Sequence, residues 1–122
     1  MREIDEEELA ETLHREFGLP PEETKTYILL VREGTLSAEE VAEKLGSAVS
    51  DSEALLGEMV TRGLIIRATG SSSRFTALHP RMTLTNVFKT YEMGVVQSLR
   101  DRRATVDRIV NLLTPIFENR ER

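Results

Sequence analysis

Residues 37–78 read SAEEVAEKLGSAVSDSEALLGEMVTRGLIIRATGSSSRFTAL. Ser37 with Glu40 is a capping box that starts a helix over 38–45, and Gly46 closes it. Four residues later Ser50 with Glu53 reads as a second capping box. Its helix runs to about Arg62, with Gly63 just past the end. Ala38, Val41, Ala42 and Leu45 form the inner stripe of the first helix, and Leu55, Leu56, Met59 and Val60 that of the second. The GSAV turn between them is short, so the helices must cross steeply. Two β-prone runs then flank Gly70, Ser71, Ser72 and Ser73, which predicts a hairpin. Helix, short turn, helix and hairpin make a winged helix-turn-helix.

Working outward, residues 3–17 have Leu9, Leu13 and Phe17 on one helical face, with Asp5, Glu6 and Glu7 in the first turn and Gly18 as the stop. Pro20 and Pro21 open a second helix, with Tyr27, Ile28, Leu30 and Val31 on its apolar face and Gly34 at its end. Thr35 and Leu36 form a short extended link. Downstream, Pro80 begins a long helix. Leu84, Phe88, Tyr91, Val95, Leu99, Val106, Ile109 and Leu113 recur on it at near-heptad spacing, and Ile116 extends the series. Helix over 81–113 would be about 50 Å long at ~1.5 Å per residue, too long for its own domain to cover, so a second copy is the simplest cover for the stripe. Pro115 should kink or end this helix. The expected fold is mainly α with a β-hairpin wing, residues 1–79, followed by a C-terminal dimerisation helix, residues 80–122.

The chain has 122 residues, enough for one domain and a long helix. Residues 1–63 carry 16 acids and 6 bases, and residues 64–122 carry 5 acids and 10 bases, so the net charge of −5 is polarised along the chain. Lys is scarce, 3 against 13 Arg, a pattern of proteins that work in molar salt and also of GC-rich coding. With no Cys, disulfides, thiolate metal sites and a thiol switch are excluded. The opening MREIDEEELAE is too acidic for a signal or transit peptide, and no apolar run is long enough for a membrane span, so the chain reads as soluble and cytoplasmic.

Residues 17–66 resemble the N-terminal domain of TrmB-like archaeal transcription regulators. Gly18, Leu19, Glu23, Lys25, Tyr27 and Leu30 match that family's opening motif. A G-T link, an S-x-x-E-V-A helix, and Leu56, Met59, Gly63, Leu64 and Ile65 match its remainder. A wing followed by a dimerising helix is also similar to PadR-like and MarR-like regulators. Size, acidity and Lys scarcity resemble a small haloarchaeal regulator of the oxidative-stress type. The resemblance implies a homodimer that binds double-stranded DNA at a pseudo-palindromic site, with no thiol of this chain as sensor.

On a helical wheel the second helix of the pair turns Ser50, Ala54, Gly57 and Thr61 outward, flanked by Asp51 and Glu58. Ser50 would bond a base or phosphate, and Ala54 or Thr61 would touch a thymine methyl. The same small residues could instead bed the helix against another helix. From Leu64 to Met82 there is no acid, and Arg67 and Arg74 flank the turn, placed for phosphates or the minor groove. The candidate DNA contacts are therefore Ser37, Ser47, Ser50, Asp51, Ala54, Thr61, Arg62, Arg67, Ser72 and Arg74. Arg62 could cap carbonyls instead. Acids on a reading helix suit molar salt, where cations can bridge Asp51 or Glu58 to phosphates.

The rival expectation is a winged-helix module that binds protein and not DNA, for which the acidic helix face argues. Neither His14 nor His79 has carboxylates at ligand spacing, so no metal site is expected. No P-loop, dinucleotide glycine pattern or Ser/His/Asp arrangement appears, so neither catalysis nor a cofactor is expected. Glu39 and Glu43 read as an acidic surface, Met82 and Met93 as packing, and Arg100–Arg103 as a solvated stretch able to pair with Asp101 or Asp107.

Overall fold

A computed structural model of the chain describes residues 4–70 and 73–120. Helix α1 (Glu6–Phe17) starts where the Asp5 carboxylate accepts from the Glu8 amide at 3.1 Å, and it stops at Gly18 with φ 72°. Helix α2 (Pro21–Glu33) begins on a proline, whose missing N–H removes one of the orphan donors at that end. The expected capping box of α3 (Ala38–Leu45) is present in both halves. Helix α4 (Val49–Thr61) follows after three residues.

The extended link is a strand. β1 (Leu36–Ser37) pairs antiparallel with β3 (Arg74–Ala77), and β3 also pairs with β2 (Ile65–Arg67), in the order β1-β3-β2. Leu36 faces Phe75, Ser37 faces Arg74, and Arg67 faces Phe75 from the other side. Two residues could not announce themselves as a strand by alternation. The pairing exists because Leu36 is buried and β3 has an edge to satisfy.

The chain divides into two compact units, Met1–Thr90 and Tyr91–Arg122. The core of the first gathers Leu13, Leu30, Val41, Leu56, Met59, Leu64, Ile65 and Phe75, with Val87 from the start of α5 (Pro80–Arg120). Each such side chain contributes roughly 1.5–3 kcal/mol by leaving water. The inward residues expected of α3 and α4 are buried or partly buried, apart from Leu45, which is exposed. Val31 and Leu9 are also exposed.

In the second unit every described side chain from Tyr91 to Arg120 is exposed. Pro115 does not end α5, which continues to Arg120. A proline removes one backbone bond, to the Asn111 carbonyl, and this exposed stretch leaves that oxygen to water. Among the described residues no helix is long and apolar enough to cross a membrane.

Candidate nucleic-acid interface

Helix α4 turns Ser50, Asp51, Ala54, Glu58 and Thr61 outward, all exposed, with Gly57 partly buried between them. The second capping box does not form. The helix starts two residues earlier than expected, at Val49, with Ala48 at the cap and no side-chain bond. What closes the turn is a hydroxyl pair, Ser47 Oγ to Ser52 Oγ at 2.8 Å. Ser52 is buried there, whereas Ser50 stays on the open face of the first turn. The Thr61 hydroxyl donates to the Gly57 carbonyl at 3.1 Å, which leaves its methyl and its oxygen lone pairs for other contacts.

The wing stands beside this face. Arg67 lies over the Phe75 ring, 5.0 Å from its centroid, and Phe75 is buried in the central strand. That stacking holds the guanidinium plane against the sheet. Arg74 reaches back to the wing's root, donating to the Thr35 carbonyl at 2.9 Å and pairing with Glu40 at 3.3 Å. Ser37 is half-buried and its oxygen accepts from the Glu40 amide at 3.2 Å, so it serves the α3 cap. The Ser37 amide in turn donates to the Glu40 carboxylate at 3.1 Å, and Ser37, helped by Arg74, holds that carboxyl below its ordinary range. Ser72 lies outside the described residues.

Arg62 is placed differently from the outward contact expected of it. Its guanidinium turns inward and donates to Glu23 of α2, with Glu58 at 3.7 Å on its other side. Glu23 is buried, and burial pushes its carboxyl above the ordinary range while Arg62 pulls it back. A charge committed to a buried carboxylate is a structural tie, so Arg62 is not among the groups facing outward from α4.

Sequence reasoning missed the convergence of Glu39, Glu53 and Arg67 around a hollow of about 240 Å³ between α3, α4 and the wing. Nothing in their spacing signals it, since only the tertiary fold joins them. His14 and His79 are exposed, and the His79 Nδ1 accepts from the Arg81 amide at 3.0 Å, capping α5. No cluster of three or more metal-ligating side chains occurs among the described residues. The stripe expected to dimerise is open to solvent at all eight positions, from Leu84 and Phe88 through Tyr91, Val95, Leu99, Val106 and Ile109 to Leu113.

A family model described as "Sugar-specific transcriptional regulator TrmB" matches residues 13–81. The structure is similar to that of TrmBL2, described as an archaeal chromatin protein with a novel mode of DNA binding, with a TM-score of 0.75 at 20% identity. That match covers 94% of this chain and 44% of TrmBL2, so the chain spans less than half the length of that protein. A MarR family protein from Bacillus stearothermophilus matches with a TM-score of 0.54 at 18% identity, over 93% of this chain and 85% of the other. Both likenesses are of fold. No curated protein sequence matches the chain.

Proposed function

Taking as premise that the chain belongs to the TrmB family of transcriptional regulators, we propose that it binds a pseudo-palindromic duplex DNA site as a homodimer. The observation that carries this reading is the exposed, small-residue face of α4 standing beside a wing whose Arg67 is braced on Phe75. An α-helix fits the major groove, about 12 Å wide, and a face of Ser50, Ala54 and Thr61 lets the backbone approach closely. Ser47, exposed at the turn before α4, contacts the backbone phosphates. Arg67 contacts phosphates or the minor groove, and Arg74 sets the wing's angle through Thr35 and Glu40.

The exposed stripe from Leu84 to Leu113 supports the dimer, because a long run of apolar side chains gains by leaving water. Twofold symmetry then calls for half-sites about 34 Å apart, or a multiple.

Asp51 and Glu58 on the reading face repel phosphates at low salt. At about 1 M salt the Debye length is about 3 Å and that repulsion is screened. Cations bridging Asp51 or Glu58 to phosphates then make binding persist or tighten as KCl rises, in an organism with a salt-rich cytoplasm. The test is a gel shift on fragments of the source genome at about 0.1 M and about 2 M KCl, repeated with Arg67→Ala and Arg74→Ala. Binding that the Arg67 variant weakens supports the reading. No binding at any salt overturns it in favour of a protein-binding winged helix, which the acids of α4 would suit. Binding lost steeply with salt overturns the cation bridge alone.

A further inference from the structure

Between Leu84 and Leu113 the apolar seam of α5 contains one charge, Arg102. It falls between Leu99 and Val106 at three- and four-residue spacing, so it shares their face. Among the described residues Arg102 makes no ion pair or hydrogen bond, whereas Arg103 pairs with Asp107 at 3.6 Å and Asp101 accepts from Gln97 at 2.9 Å. Glu92, on the flank of the seam, is equally without a partner. A lone charge at a seam position discriminates between ways of pairing two helices, because it must meet a group that tolerates it.

The seam also has a centre, midway between Ser98 and Leu99. Val95 and Arg102 lie three and a half positions either side of it, and Tyr91 and Val106 seven and a half. Phe88 and Ile109 follow at ten and a half, and Leu84 and Leu113 at fourteen and a half. Leu99 sits beside the centre itself. A second copy running the opposite way about that point sets a seam residue opposite a seam residue at every step. A parallel pair needs no such symmetry, since it matches any stripe with itself.

We infer that α5 pairs antiparallel with α5 of a second copy about this centre, with Arg102 of each copy lying against Val95 and Glu92 of the other. The inference rests on the homodimer proposed above and assigns its orientation. In a parallel, in-register pair Arg102 meets the partner's Arg102 where water is excluded, and Glu92 is ten positions away, about 15 Å at ~1.5 Å per residue. Turned about, the aliphatic stem of Arg102 covers the partner's Val95. The partner's Glu92 then lies three positions on, about 5 Å along the axis and within reach of the guanidinium. Twofold symmetry makes this contact twice, once on each side of the centre.

The chain has no Cys, so a single engineered thiol takes a spin label cleanly. The test uses the full-length protein with Thr114→Cys, an exposed position, labelled with a nitroxide. Pulsed dipolar spectroscopy reads the distance between labels, and light scattering reads the mass. Antiparallel pairing sets the two labels about 45 Å apart along the axis, and parallel pairing sets them within about 25 Å. A dimer with the long distance is the expected result. Glu92→Lys should raise the dimer dissociation constant about tenfold, and Arg102→Glu added to it should recover part of that loss. A dimer with the short distance overturns the antiparallel inference and leaves the homodimer standing. A single-chain mass without dipolar coupling overturns both. A dissociation constant indifferent to Glu92→Lys overturns the pairing of Arg102 with Glu92.

Discussion

Arg62 donates to the Glu23 carboxylate across 39 positions of sequence, tying the end of α4 to the first turn of α2. The carboxylate end of this pair is 3% exposed, so the guanidinium is what makes its charge tolerable.

Removing that guanidinium leaves a buried charge uncompensated. Arg62→Met should cost about 3 kcal/mol at neutral pH in urea melts. Burial raises the pKa of Glu23, so the folded protein holds this proton more tightly than the unfolded chain. The group's contribution to stability is therefore full below the ordinary value of 4.5 and declines as pH rises through the raised one. Glu23→Gln should abolish that decline. The cost of Arg62→Met should shrink toward pH 4.5, and a cost constant with pH would contradict the assignment.

Gly63 is fixed by its neighbour. Its φ is +79°, its carbonyl accepts from the Asn86 side-chain amide at 2.8 Å, and a Cβ there would collide with that amide. Gly63→Ala should destabilise by about 2–3 kcal/mol. Gly46→Ala, at φ +69° in open space, carries only the backbone strain and should cost about 1 kcal/mol. Chemical denaturation of the two variants side by side checks the difference.

Ala54 is exposed on the face proposed to read DNA. Ala54→Glu should leave the melting temperature within a degree or two, since the side chain projects into water. It should lower duplex affinity at least tenfold at every salt concentration. Arg67→Ala should lower affinity about tenfold while costing under about 1 kcal/mol of stability, the scale of its stacking on Phe75.

Leu99 and Leu113 are more than half exposed. The double variant Leu99→Glu, Leu113→Glu should therefore be neutral in a monomer and disruptive in a dimer. Light scattering at about 10 μM should show the wild type at twice the chain mass and the variant at the chain mass. A wild type at single-chain mass would refute the proposed homodimer.

Much of the fold was legible because it rests on local signals. Ser37 and Glu40, the glycines after α1 and α3, and Pro21 at the head of α2 act through bonds a few residues long. What escaped reading is non-local. Leu36 became a strand because of Phe75, and Arg62 turned inward because of Glu23, a partner 39 residues away. The Ser50–Glu53 pattern matched a capping box, yet the helix began at Val49 once Ser47 and Ser52 closed the turn. The outward face of α4 was legible from helical spacing, but the duties of Arg74 at the wing's root were not.

Ser37 belongs at once to two structures, since it pairs with Arg74 in the sheet and caps α3. The wing's root and the start of the helix-turn-helix thus share one hinge pin. Anyone transplanting a wing from a relative to alter its target must therefore carry Thr35, Leu36 and Ser37 along with β2 and β3. An insertion of one residue in that link would turn Leu36 out of the core and pull the cap from its helix in the same stroke.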